Sequence, residues 1–253
     1  MRSIDLNSDL GEGAGHDPEI MSFITSANIA CGGHAGDEAT MRATVELALK
    51  RGVAIGAHPG YPDRANFGRI AVAMEPLALI EEVSGQVRTL AEIVTAAGGT
   101  LRHVKAHGAM YNQAERDAAI ARSIATGIFD DGRGASLLVF APPGSAMLAA
   151  ANGMDLRVAR EGFIDRAYEP DGTLRSRKLP DSLHTDPKVA VAQALSFVRE
   201  GGVRASDGTF LPLEVDTLCI HGDTPGAPAI AEAVRAAFAR ESIQVRPAFR
   251  QWL

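Results

Sequence analysis

Asp5, Asn7 and Asp9 recur at every second residue near the amino terminus, and His103, Lys105 and His107 repeat that spacing later in the chain. In extended backbone a period of two places each trio on one face. Carboxylates, imidazoles and an ammonium group gathered on one surface can move protons, clamp anions or hold cations. Further reactive side chains stand at the ends of short apolar runs. CGGHAGD brings His34 and Asp37, and His58 closes the next run. Tyr111 and Asn112 follow His107. Glu161 precedes Asp165 and Arg166, and His221 precedes Asp223. A loop that merely begins at a strand end calls for Ser, Asn, Asp or Gly, not for a histidine at four different ends.

The residue types sort into roles. Lys105 shares the face of His107, and a buried lysine requires a partner because an unpaired buried charge is costly. Asp5, Asp9 or Glu161 can supply it, either as a structural ion pair or as part of a reactive site. His103 begins its run rather than ending it, so packing is its expected role. An Asp with two or three His at strand ends suits a divalent metal with an open position, and Asp5, Asp9, His34 and His58 are the candidate ligands. Gly11-Glu12-Gly13-Ala14-Gly15 offers backbone N–H groups to an anion, or simply a turn. Neither a P-loop nor a dinucleotide glycine fingerprint is present, nor are HExxH and GxSxG. Cys31 reads as a buried small residue rather than a nucleophile.

These groups must be positioned by the elements between them. Strands are expected at Ser3–Asn7, Ala27–Cys31, Val53–His58, Leu101–His107, Ser136–Ala141, Arg157–Glu161 and Asp216–His221. Each is short and mostly apolar, as in strands buried on both faces. Helical patterns fill the intervals: Asp37–Arg51, Pro76–Ala97, Glu115–Ile128, Gly144–Ala151, Pro187–Glu200 and Pro225–Arg240. Gly162–Pro187 reads as a loop or small hairpin, with Pro170-Asp171-Gly172 as its turn. Such alternation means a parallel sheet with crossover helices. It is either a closed barrel or an open doubly wound sheet, and in both the active site forms at the carboxyl ends of the strands.

Composition narrows the function classes. The 253 residues suit one β/α barrel occupying residues 1–253 as a single domain. A net charge of −6 and an aromatic content of 5% give no footprint for nucleic acid. The amino terminus lacks the basic and apolar regions of a signal peptide, and no apolar run approaches a membrane span. Two cysteines make no disulfide framework. The expectation is a cytoplasmic enzyme without nucleic-acid or membrane partners.

The segments IDLNSDLGEG, TSANIACGGHAGD, AIGAHPGYPDRANFGR, HVKAHGAMYN, EGFIDRAYEPDGTLRSR and VDTLCIHGDTPGA resemble the LamB/YcsF family, in order and across nearly the whole chain. The resemblance implies a seven-stranded parallel β/α barrel, a TIM-like variant related to polysaccharide-deacetylase barrels. It also implies a reaction: opening of the lactam of 5-oxo-L-proline to L-glutamate, coupled to hydrolysis of ATP to ADP and phosphate, with partner subunits B and C. ATP would be the co-substrate, carried with Mg. Within that chemistry Asp9, His58, Lys105, His107, Glu161 and His221 are the expected catalytic residues. Asp9 or Glu161 would serve as base, and the histidines would transfer protons or orient the carbonyl. Lys105 with Arg69 or Arg166 would carry phosphate or carboxylate charge. Asn7, His34, Tyr111, Asn112, Asp165 and Asp223 complete the expected substrate contacts. Two rival functions stand beside it: a metal-dependent deacetylase or carbohydrate-acting hydrolase on a similar barrel, and a non-catalytic lactam-binding protein.

Overall fold

A computed structural model describes residues 2–130 and 136–249. In chain order its strands are β1 (Ser3–Leu10), β2 (Ser26–Ala30), β3 (Ala54–His58), β4 (Leu101–Lys105), β5 (Leu138–Ala141), β6 (Arg157–Phe163), β7 (Gly202–Arg204), β8 (Phe210–Pro212), β9 (Thr217–His221) and β10 (Gln244–Val245). Its helices are α1 (Asp17–Ile20), α2 (Glu38–Arg51), α3 (Pro76–Ala96), α4 (Gly108–Arg116), α5 (Ala118–Asp130), α6 (Ala146–Asn152), α7 (Pro187–Glu200) and α8 (Ala227–Arg240). Strands β1 to β6 and β9 pair in parallel in that order, and β9 pairs back onto β1. The sheet is therefore a closed seven-stranded barrel, which decides between the two architectures that alternation left open.

The helices form for local reasons and cover the barrel with one apolar face each. Asp37 caps α2 by accepting from the Thr40 N–H, and Gly52 ends it at φ 68°. In α3, Val83, Val87, Leu90 and Val94 are fully buried at the spacing of one helical stripe. The stretch expected as one helix over Glu115–Ile128 is two, α4 and α5. Asp117 separates them with φ −97° and ψ 106°. Its carboxylate accepts from the Ala119 and Ile120 N–H groups. A short acidic side chain competes for backbone donors in this way and favours a cap over a helix interior.

Strand boundaries differ where the site begins. β1 continues to Leu10, so Asp9 is part of the barrel wall. β4 stops at Lys105, because the His107 N–H bonds to the Pro59 carbonyl and His107 becomes the N-cap of α4. The antiparallel hairpin β7–β8 and the short β10 alongside β1 are additions to the expected elements. The segment after β6 is a loop with isolated bridges, turning at Pro170-Asp171-Gly172.

The interior of the barrel is polar. Asp5 accepts from the hydroxyls of Thr25, Ser26 and Thr217. Asn7 donates to Thr217 and Glu161, and Asn28 donates to Asn7 and Asp9. His103 lies among them, stacked on Phe140 at 4.3 Å with Nε2 2.8 Å from Asn28 Oδ1. Burial pushes its pKa down to about 3, so it is a neutral donor. Packing is its role, as expected. It fits only because Gly56 has no side chain: a Cβ there would lie 2.1 Å from the imidazole. Gly56→Ala is expected to cost about 2–3 kcal/mol, by displacing His103 from a close-packed layer. Thermal unfolding should show a fall of roughly 5–10 °C. An unchanged midpoint would show that the ring has room to move.

Candidate active site

A cavity of about 580 Å³ opens at the carboxyl ends of the strands. Asp9, His58, Lys105, His107, Tyr111 and His221 line its inner part. Lys105 is the centre of the floor. Its Nζ lies 2.8 Å from Asp9 Oδ1, 3.0 Å from Glu161 Oε1 and 3.1 Å from Cys219 Sγ. Burial opposes the ammonium charge, but the carboxylates outweigh it and hold Lys105 well above the ordinary lysine value. Of the three partners named from the sequence, Asp9 and Glu161 are the ones that reach it. Glu161 is fully engaged, with Asn7 and Lys105 on Oε1 and the Tyr111 hydroxyl at 2.7 Å on Oε2. Asp9 Oδ1 is likewise engaged by Asn28 and Lys105, while Oδ2 faces His58 at 3.4 Å and His221 at 4.0 Å. Burial would raise the Asp9 carboxyl, yet His58 and Lys105 bring it well below the usual range.

The histidines are held in defined orientations. His58 Nδ1 sits 2.8 Å from the Lys105 carbonyl, and His107 Nε2 sits 2.9 Å from the Phe67 carbonyl. Carbonyls only accept, so these nitrogens carry hydrogens. The remaining nitrogens, His58 Nε2 and His107 Nδ1, face each other at 2.9 Å. A proton or another cation must lie between them. Burial lowers His58, but Asp9 and Glu12 overcome that and raise it, whereas burial prevails at His107 and lowers it. His34 stacks on His107 at 3.5 Å and is pushed down to about 4 by burial. On the opposite wall, Asp165 accepts from the His221 backbone N–H, from His221 Nδ1 at 3.0 Å and from the Thr224 hydroxyl. His221 therefore keeps its hydrogen on Nδ1 and turns Nε2 toward Asp9.

The outer cavity is basic. Arg69, Arg166, Arg177 and Lys178 line it, and Asn112 is exposed at its edge. Arg69 and Arg177 both reach Asp223. Arg166 is buried, donates to the Arg175 carbonyl, and has no partner for Nε among the described residues. Burial, reinforced by Arg177, pushes it down to about 10.

The structure thus brings Asp9, His58, Lys105, His107, Glu161, His221, Arg69, Tyr111, Asn112, Arg166 and Asp223 to one cavity or its immediate wall. Four expectations are corrected. Asp5 is no metal ligand, because it lies beneath the site with three hydroxyls saturating its carboxylate. Asn7 makes no substrate contact; it is fully buried and bonds within the barrel column. Asp165 is also fully buried and orients His221 rather than touching the cavity. His34 lies behind His107 and not on the cavity surface. Cys31 is buried and its thiol is pushed up to about 12, in keeping with a packing role.

Two residues of the site escape sequence reasoning. Glu12 projects from the glycine-rich loop after β1 into the histidine cluster, with Oε1 2.9 Å from His34 Nε2 and 3.3 Å from His107 Nδ1. A lone carboxylate inside Gly11–Gly15 is the available signal, but a glycine-rich loop draws attention to its N–H groups instead. Arg177 lies in the loop after β6 and has no periodicity to mark it.

Asp5 gives a pH test of the column. Burial raises its pKa from 3.8 to about 6. A carboxyl raised on folding contributes stability below about pH 4, and that contribution is lost as pH rises through 6. Two units correspond to about 3 kcal/mol. Asp5→Asn removes the titration, and about two thirds of that loss falls between pH 4.5 and 7.5, so the variant should gain on the wild type by roughly 4–8 °C over that range in paired melts. A difference that does not change with pH would refute the assignment.

A closed β/α barrel with a charged, histidine-lined cavity at the carboxyl ends of its strands defines an enzyme-like barrel protein. The chain belongs to the LamB/YcsF family, whose model matches residues 4–252. It is 49% identical to a protein of Methylococcus capsulatus named as the A component of 5-oxoprolinase, over 100% of this chain and 98% of the relative. The crystal structure of a lactam utilization protein from Thermus thermophilus superposes with a TM-score of 0.90 at 42% identity, covering 96% of this chain and 99% of that one. A solved deacetylase with bound substrate, at 12% identity and a TM-score of 0.51, shares the fold alone, covering 99% of this chain and 92% of that one. Among the described residues no helix is long and apolar enough to cross a membrane.

Proposed function

We propose that this chain is the A component of an ATP-dependent 5-oxoprolinase, acting with subunits B and C in the cytoplasm to convert 5-oxo-L-proline to L-glutamate. The observation that carries the reading is the near full-length identity to a relative bearing that component's name. The cavity suits the chemistry. A five-membered lactam is a poor electrophile, and transfer of the ATP γ-phosphoryl group to its carbonyl oxygen releases ADP and activates the carbon. Water then adds, the ring C–N bond breaks, and the nitrogen takes a proton. A second water releases phosphate from the resulting acyl phosphate and leaves glutamate.

Several groups of the cavity suit these steps. Arg69, Arg166 and Arg177 supply positive charge at the outer cavity for phosphate or the substrate carboxylate. Mg would accompany ATP. Lys105 supplies the fixed charge of the floor for the oxyanion that develops. His221, oriented by Asp165, has a free Nε2 for the attacking water, with Asp9 Oδ2 beside it. Glu161 acts as counter-ion to Lys105 rather than as base, since both its oxygens are engaged. The test mixes this chain with B and C subunits, 5-oxoproline and Mg-ATP, and measures glutamate and ADP with each component omitted in turn. Both products should require all components. Hydrolysis of an N-acetylated sugar without ATP would instead establish a deacetylase. Full turnover without this chain would make it a non-catalytic member of the complex.

A further inference from the structure

We propose that Glu12, His58 and His107 form a binding site for one divalent transition-metal ion. The donor atoms already stand at the edges of a coordination polyhedron. His58 Nε2 lies 2.9 Å from His107 Nδ1 and 3.6 Å from Glu12 Oε1, and His107 Nδ1 lies 3.3 Å from Glu12 Oε1. With metal–ligand bonds of about 2.1 Å, an octahedron has edges of about 3.0 Å and a tetrahedron edges of about 3.4 Å. The three side chains are between 1% and 6% exposed.

Three further features point the same way. Both imidazoles are fixed from behind by backbone carbonyls, an arrangement that orients metal-bound histidines and sets their tautomer. Both then aim lone pairs at one point, where a single hydrogen satisfies only one of them. The charge also balances. Asp9, Glu12 and Glu161 bring three carboxylates against the single ammonium of Lys105, which leaves two negative charges in a buried site. Imidazole and carboxylate together suit zinc and its neighbours in the first transition row.

His34 is the positioning residue. Its ring lies parallel to His107, with 3° between planes. Two rings stacked in that way cannot both direct in-plane lone pairs at one ion, so His34 donates Nε2–H to Glu12 and fixes its carboxylate. A second grouping, Asp9 with Cys219 and His221, is close enough to hold an ion. The Lys105 ammonium already fills it, in contact with Cys219 Sγ and Asp9 Oδ1.

The test uses the full chain alone, stripped with a chelator and checked for fold by circular dichroism. It is titrated with Co²⁺ for visible d–d absorption and dialysed against Zn²⁺ for elemental analysis. The wild type and His16→Gln, which alters an exposed histidine outside the cluster, should each take up one ion per chain. Glu12→Gln should bind at least tenfold more weakly, and His107→Ala should not bind at one equivalent. Failure of the folded wild type to bind either ion overturns the proposal and leaves a shared proton between His58 and His107. Binding unchanged in Glu12→Gln also overturns it. If the variants do not fold, the stoichiometry and the Co²⁺ spectrum of the wild type decide the question. The measurement uses neither lactam nor ATP, so its failure leaves the 5-oxoprolinase reading untouched.

Discussion

Lys105→Met, in the assembled enzyme, is expected to lower glutamate formation from 5-oxoproline by a factor of about a hundred or more. The side chain has nearly the same length and volume, so the loss reports the charge. Without the ammonium, Asp9 and Glu161 are left in a buried site with an uncharged thioether in place of their shared cation, which favours protonation of one of them. Removing one partner of such a cluster costs about 3–5 kcal/mol. A drop in rate alone would therefore leave two explanations, lost chemistry or a damaged barrel. The double variant Lys105→Met/Glu161→Gln separates them. It removes one negative charge with the positive one, keeps the shape of both side chains, and leaves Tyr111 and Asn7 with an amide to bond. Most of the lost melting temperature should return while the rate stays low. Full activity in Lys105→Met would remove Lys105 from the chemistry. Activity restored with stability in the double variant would make it a structural charge.

The cluster around Lys105 is readable in outline because strands are periodic. Alternation sets Asp5, Asn7 and Asp9 on one face, puts Lys105 with His107, and identifies the strand ends where His58, Glu161 and His221 stand. Depth along the barrel is not readable. Asp5 and Asp9 have the same residue type and the same face, yet closure of the sheet places the first under three hydroxyls and the second at the cavity. That difference depends on Thr25, Ser26 and Thr217, which belong to other parts of the chain, and on the register that brings β9 against β1. The helix break at Asp117 is hidden for a different reason. Periodicity on both sides of it is helical, and one capping side chain outweighs that pattern. Glu12 escapes because a glycine-rich loop has no period, so nothing in the sequence says where its one carboxylate points. Asp165 is expected near the right chemistry but in the wrong position, since adjacency to a strand end does not distinguish touching a substrate from holding the residue that does.

Asp165→Asn tests that last distinction and carries the second large effect. The carboxylate accepts three hydrogens: the His221 N–H, His221 Nδ1–H and the Thr224 hydroxyl. An amide keeps the size but presents an N–H₂ toward the ring. His221 must then move its hydrogen to Nε2 to give Nδ1 a lone pair, and the nitrogen facing Asp9 can no longer take a proton from water. A wrong tautomer with intact geometry can cost about four orders of magnitude in the serine-protease triad that serves as the general template for this effect. Here Asp9 Oδ2 stands near the same water, so a loss of about a hundred- to a thousandfold in kcat is expected, with KM changed less than about threefold. Nitrogen-15 spectra of the imidazole side chains supply the readout that mere loosening would not move. The wild-type His221 should show the hydrogen on Nδ1, and Asp165→Asn should show it on Nε2. Thr224→Val leaves the carboxylate and its two bonds to His221, so it should keep the wild-type tautomer and lose about tenfold or less. If Asp165→Asn retains the Nδ1 tautomer and still loses turnover, Asp165 acts on packing. If it changes the tautomer and keeps its rate, His221 is not the base, and Asp9 must take that role alone.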